Sequence, residues 1–171
     1  MTDIASPSER LRPEGDALAL RPLSIADAEA AAAVVRTAFA AQPRATEPPS
    51  SALRETAAAI AARIAAGGGF GVFDDARLVA VALWQPDGDA VMIGRVCALP
   101  DYRGRTLSRK LLVACEKAAR AQAVERLRLR VRLALPENEA LFRRFGFVRV
   151  SVEAHAGFDR PTVAVMEKPL R

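Results

Sequence analysis

Apolar and polar positions change period several times along the chain. From residue 125 to 135, ERLRLRVRLAL sets Leu127, Leu129 and Val131 against Arg126, Arg128, Arg130 and Arg132. Period two is that of a strand with one buried face. DALALRPLS, from Asp16, alternates more loosely and predicts a first strand. SIADAEAAAAVVRTAFAA follows, with Ser24 as N-cap, Asp27 and Glu29 in an acidic first turn, and a run of helix-forming alanines. Pro43, Pro48 and Pro49 mark a loop. SALRETAAAIAARIAA, residues 51–66, predicts a second, continuous helix stopped by Gly67, Gly68 and Gly69. Three strand-like runs come next, GFGVFDD, RLVAVALWQ and AVMIGRVCAL, and Asp87-Gly88 is a hairpin signal between the last two. TLSRKLLVACEKAARAQAV is a long helix with Leu107, Leu111, Ala114, Ala118 and Ala121 on one face. After the arginine-rich strand, PENEALFRRF reads as a short helix opened by Pro136. GFVRVSVEA and PTVAVMEKPL are two closing strands.

The resulting order is β-α-α-β-β-β-α-β-α-β-β, a mixed α/β (α+β) sheet in one domain over residues 16–171, preceded by a loose tail at 1–15. The strands on either side of the long helix should be parallel, with a right-handed crossover.

Composition narrows the possibilities. Half of the 171 residues are hydrophobic, enough for a real core. Charged residues interrupt every apolar run and no signal-peptide pattern opens the chain, so a cytoplasmic protein is expected, with no membrane partner. Cys97 and Cys115 read as small apolar residues in a reducing compartment. The net charge of +5 suits an anionic partner. Aromatic residues make up only 5% and no zinc-finger spacing or base-reading helix signature occurs, so neither nucleic acid nor a metal is expected.

The anion has a natural seat. Pro100-Asp101-Tyr102-Arg103-Gly104-Arg105-Thr106 runs from the end of a strand to the start of the long helix. The first amides of that helix lack internal partners and carry the positive end of its dipole. Gly104 permits close approach, Arg103, Arg105 and Arg109 add charge, and Thr106 and Ser108 add hydroxyls. An ordinary turn capped by Thr106 or Ser108 is the other reading, and the loop alone does not choose between them.

Across residues 16–171 the chain resembles the GNAT superfamily of N-acetyltransferases. The residues that carry the resemblance are Pro100 to Leu112, set against the family's Pro-x-x-Arg-Gly-x-Gly-Leu/Ile-Gly/Ala-x-x-Leu-Leu. Thr106 and Ser108 stand where Gly and Gly/Ala are usual. A second signature, a short helix ending in Tyr/Phe-x-x-x-Gly-Phe, is matched from Asn138 through Phe142 to Gly146-Phe147. The resemblance implies acetyl-coenzyme A, with its pyrophosphate over the amides of Gly104, Arg105, Thr106, Leu107 and Ser108 and with Arg103 beside them. It implies a pantetheine arm lying like a short strand on Val96, Cys97 and Ala98, between splayed central parallel strands, and Asn138 facing the cosubstrate. A helix-start role is the alternative for Asn138.

The implied reaction is direct attack by a primary amine, in a ternary complex, on the acetyl group; the acceptor is a small-molecule or protein amine. Amides near Val96 to Ala98 are candidates to stabilise the oxyanion. Many family members carry a Glu base on the fourth strand, but Ala90 to Leu99 holds no acid and only Arg95 as a charge. His155, the only histidine, is the candidate base, with Glu153 and Glu47 as alternatives. Phe142 stands where many members have a Tyr that protonates the leaving thiolate, and Tyr102 is another proton source. Arg130 and Arg132, nearest the active end of their strand, are candidates to meet an anionic acceptor. The missing strand acid and Phe142 favour a second reading, a catalytically inactive acyl-coenzyme A-binding regulatory module. Monomer and homodimer both remain open.

Overall fold

The computed structural model describes residues 18–170; the expected tail at 1–15 lies outside the described residues. Strands form where the alternation places them. β1 (Ala19–Pro22), β2 (Gly68–Asp74), β3 (Arg77–Asp87) and β4 (Ala90–Ala98) form an antiparallel run. β5 (Arg126–Arg132), β6 (Val148–Glu153) and β7 (Val163–Pro169) complete a seven-stranded mixed sheet in the order β1-β2-β3-β4-β5-β7-β6. Only β4 and β5 are parallel, as the helix between them requires.

α1 (Ala28–Ala40) and α2 (Ala57–Ala66) pack together and against β3. α3 (Leu107–Ala121) packs against β2, β3 and β4, and α4 (Pro136–Arg144) against β5. Every residue of β3 from Leu78 to Leu83 is buried, so helices cover both of its faces. On β5 only Leu127, Leu129 and Val131 are buried, and the four arginines take the other face.

Two expectations need correction. The apolar stripe of α3 is Leu107, Leu111, Leu112, Cys115 and Ala119, rather than Leu107, Leu111, Ala114, Ala118 and Ala121. The larger side chains turn inward, and Ala121 is exposed. The helix expected over 51–66 is broken. A 3-10 turn, Ser51–Arg54, ends at Glu55, which is extended (ψ 138°). α2 then starts afresh with Thr56 as N-cap, its hydroxyl accepting from the Ala59 amide. The break turns Glu55 inward, to a position described below.

Candidate active site

The site is built where β4 and β5 part. Their pairing covers only Ala90–Met92 against Arg126–Arg128. Beyond Met92 the two strands splay, as expected from the resemblance. The peptide groups of β4 that would have faced β5 there have no strand partner, and an extended ligand can pair with them.

β4 is also kinked. Its register against β3 shifts between Leu83↔Gly94 and Val81↔Cys97, a bulge with one extra residue on β4. Arg95 sits in it with φ +56°, a left-handed conformation uncommon for a residue with a Cβ. Its side chain is anchored. Nε donates to Glu55 Oε2 at 2.5 Å, and Nη2 donates to Ser51 Oγ at 3.0 Å. The Glu55 carboxylate is only 4% exposed. Glu55, missed in the sequence, therefore ties the α1–α2 connection to the bulge. Its signal was weak, a lone acid within a helical pattern.

A cleft of about 660 Å³ runs from the bulge to the start of α3. Val96, Cys97 and Ala98 line it on the β4 side, and Gly104, Thr106, Leu107, Ser108 and Arg109 line it at the turn. A Cβ built on Gly104, at φ +74°, would meet nothing within 4 Å. The backbone there faces open space, which suits an anion cradle. Thr106 is the N-cap of α3, itself left-handed (φ +59°, ψ 18°), and its hydroxyl makes no capping hydrogen bond. The ordinary capped turn is thus not realised through Thr106. A family glycine at this position would adopt the same backbone without strain.

The arginines around the turn separate. The Arg103 guanidinium donates to the carbonyl oxygens of Ala38 (2.8 Å) and Ala41 (3.0 Å), capping the end of α1. It also lines the cleft, with two of its five N–H donors held by those carbonyls. Arg105 lies over the Tyr102 ring, 4.9 Å from its centroid, and is not part of the cleft lining. Arg109 lines the cleft, as does Arg144 on α4, which the sequence reading overlooked. Neither has an ion-pair partner among the described residues. Tyr102 is buried and donates its hydroxyl to Asp74. That hydrogen bond holds the phenol above its ordinary pKa, so Tyr102 is not a free proton source.

Asn138 lines the cleft from the first turn of α4, and its side chain has no hydrogen-bond partner among the described residues. Cys97 also lines it, yet burial pushes its thiol up to about 12. A thiol so held is a poor nucleophile.

A second cavity, about 110 Å³, opens off the first, and Val96, Leu135 and Asn138 line both. Phe142 lines the inner cavity and meets Phe147 edge-to-face, with centroids 6.0 Å apart. Gln42 and Ser50 bring in the two ends of the proline-rich loop, whereas Glu47 does not reach it. No acid, histidine, tyrosine or cysteine is among the residues lining this inner cavity.

His155 lines neither cavity. It sits just beyond β6, where its backbone N–H donates to Thr162 Oγ1 at 3.0 Å and its ring Nδ1 lies 2.5 Å from the same oxygen. Burial, together with the charges of Arg132 and Arg130, lowers its pKa below the ordinary value. It is therefore neutral at neutral pH, with Nε2 unpartnered among the described residues. Glu153 is paired with Arg130 at 3.0 Å.

A mixed sheet whose central parallel strands splay over a glycine-bearing turn at a helix N-terminus defines a class of acyl-transfer proteins. The sequence model of the acetyltransferase (GNAT) family matches residues 33–147, more than half of the chain, and the protein belongs to that family. No curated protein matches the chain in sequence. Among solved structures, the fold is similar to that of the ribosomal-protein-S18-alanine N-acetyltransferase from Escherichia coli (TM-score 0.72, 20% identity, 90% of this chain and 94% of that one). It is equally similar to the PaiA N-acetyltransferase from Thermoplasma acidophilum, solved in complex with coenzyme A (TM-score 0.72, 22% identity, 90% and 99% covered). A GNAT-family acetyltransferase from Streptococcus pneumoniae is also similar (TM-score 0.70, 15% identity, 91% and 100% covered).

Proposed function

We propose that the protein transfers the acetyl group of acetyl-coenzyme A to a primary amine by direct attack in a ternary complex. The observation that carries this reading is the continuity of two cavities through Val96, one reaching the anion-ready turn and the other lying in the splay.

Acetyl-coenzyme A supplies an activated thioester. The amides of the turn and of the first α3 residues offer unpaired donors to its pyrophosphate. Arg109 and Arg144 add charge at the rim. The unpaired peptide groups of β4, from Val96 to Ala98, hold the pantetheine in register, and Asn138 offers its amide from the opposite wall. At the bulge the β4 amides provide the donors for charge that develops on the carbonyl oxygen.

The raised pKa of Cys97 supports direct transfer over an acyl-cysteine route. No base lines the inner cavity among the described residues. Arg130 and Arg132 line it, and their positive charge disfavours an ammonium and so favours the attacking neutral amine. We assign the final proton to water, with His155 Nε2 as its neutral acceptor outside the cavity. Phe142 shapes the channel; thiolate, with a thiol pKa of about 8.5, leaves without an acid.

The second reading, an inactive acyl-coenzyme A-binding module, draws on the same absence of acid and base from the inner cavity lining. Thiol release from acetyl-coenzyme A over a panel of amines separates the two. Transfer to any acceptor supports the enzyme; binding of coenzyme A with no transfer supports the module. The cradle has its own check. Gly104→Val, which would fill the open space at φ +74°, should weaken coenzyme A binding at least several-fold by calorimetry. Its thermal midpoint shows whether folding survives. Unchanged affinity in a folded variant would remove the turn from the site.

A further inference from the structure

The four arginines on one face of β5 are not equivalent. Arg126 pairs with Asp89 at 2.7 Å and also reaches Glu125 and Glu167. Arg128 pairs with Asp87 and Glu167, both at 2.7 Å. Arg130 pairs with Glu153 at 3.0 Å. Arg132, last in the row, has no carboxylate partner among the described residues. Its Nη1 is fully buried and has no hydrogen-bond partner. Arg132 lines the inner cavity beside Val96, Asn138 and Phe142. Arg95, the other inward arginine of the region, already holds Glu55.

Buried guanidinium donors are normally satisfied, and a buried cation is normally paired. An arginine cannot shed its proton to escape the problem. Partial burial lowers its affinity for that proton, with no carboxylate to offset it. The effect extends to His155, whose pKa Arg132 also lowers. Arg132 therefore brings to the cavity wall a guanidinium with no acid beside it among the described residues. The space is small for a bulky ligand: about 110 Å³, against roughly 300–1,000 Å³ for ordinary ligand pockets.

We propose that Arg132 receives a carboxylate of the acceptor, so that the amine acetylated by this protein is a small amino acid-like molecule carrying a carboxylate a few bonds from its amino group. The inference rests on the transfer reading above and narrows its acceptor. The guanidinium fork matches a carboxylate in a bidentate way, while the amine is left toward Val96, where the two cavities meet. A peptide N-terminus, whose neighbouring carboxyl is an amide, leaves Arg132 without its partner unless an acidic side chain supplies one.

The test is a set of matched acceptors with acetyl-coenzyme A as donor: the free L-amino acids, their carboxamides, the amines lacking the carboxyl group, aminoalkyl phosphates, and N-terminal aspartyl and alanyl peptide amides. Free amino acids should be used with kcat/KM at least tenfold above their carboxamides, mostly through KM. Arg132→Gln should erase that difference while leaving turnover of the carboxamides and coenzyme A affinity within about twofold. Arg126→Gln, on the same strand but ringed by acids, should keep the wild-type preference. A comparison within one variant stands even if Arg132→Gln loses some stability, and the wild-type acid-to-amide ratio needs no variant. Equal use of acids and amides would overturn the inference and leave the transferase reading intact. A preference for aminoalkyl phosphates would overturn the carboxylate, and a preference for aspartyl peptides would overturn the small acceptor. If no acceptor is used although coenzyme A binds by calorimetry, the transfer reading fails and takes the inference with it.

Discussion

At the scale of single residues, the turn at the start of α3 departs from its family in a way that can be measured. Thr106 holds φ +59°, a conformation that costs an L-residue about 1–2 kcal/mol. Its β-branched side chain stands in the cleft lining without a capping role. Thr106→Gly removes both the strain and the bulk. It also frees the unfolded chain, which offsets roughly 0.5–1 kcal/mol of the relief. Stability should therefore change little, by less than about 1 kcal/mol. Coenzyme A should bind more tightly, by roughly threefold to tenfold, the equivalent of about 1 kcal/mol. Calorimetry with coenzyme A decides the matter. Weaker binding in Thr106→Gly would mean that the hydroxyl is a phosphate donor rather than an obstruction.

At the scale of elements, alternation on β5 was plain in the sequence because a local pattern causes it. The expected N-cap of α1 was not placed correctly: Ser24 opens a 3-10 turn, Ile25–Asp27, and α1 begins only at Ala28, with Asp27 as its N-cap and no side-chain capping hydrogen bond. What was not plain depends on residues far apart in the chain. The run 51–66 is helical by every local measure, yet Glu55 leaves the helix to meet Arg95, forty positions away. Nothing local marks Arg95 as left-handed, because a bulge is set by the register of β4 on β3. The four β5 arginines are legible as one face. Which of them lacks an acid is decided by Asp87, Asp89, Glu153 and Glu167, brought in by neighbouring strands and turns. The glycine-bearing turn before α3 was legible because its elements are contiguous, whereas the inner cavity, drawn from α1, β4, β5 and α4, was not. The Glu55–Arg95 pair then gives a prediction about the bulge. Glu55→Gln strands a guanidinium whose side chain is only 15% exposed, and should cost about 1.5–3 kcal/mol. The midpoint of thermal unfolding should fall by roughly 3–12 °C. Coenzyme A affinity at the distant turn should hold, while transfer slows by roughly tenfold or more as the bulge amides lose their position. Adding Arg95→Gly, which suits the backbone and removes the orphan charge, should restore most of the stability. A Glu55→Gln variant as stable and as fast as wild type would mean that the pair does not hold the bulge.

At the scale of the whole molecule, the net charge of +5 is not spread evenly. The sheet face of β5 is close to neutral because acids answer three of its four arginines. Arg109 and Arg144, both exposed at the cleft, have no such answer among the described residues. They face the same space as the amides of the α3 N-terminus, so helix dipole and side-chain charge add together at one end of the cleft. A polyanion should be drawn there by charge first and fixed by the backbone afterwards. Coenzyme A affinity should accordingly fall as salt rises, since the screening length shrinks from about 10 Å at 0.1 M to about 3 Å at 1 M. Arg144→Gln and Arg109→Gln should each weaken binding by roughly twofold to tenfold at low salt. Each should also flatten the dependence on salt, a readout that loss of packing does not reproduce. The backbone amides, being fixed and partly enclosed, should sustain the remaining affinity at high salt. Titrations of both variants between 0.05 and 1 M sodium chloride, roughly spanning those screening lengths, measure the slope directly. If the slopes of the variants match that of wild type, the two arginines are solvated surface, and the amides of the turn bind coenzyme A without them.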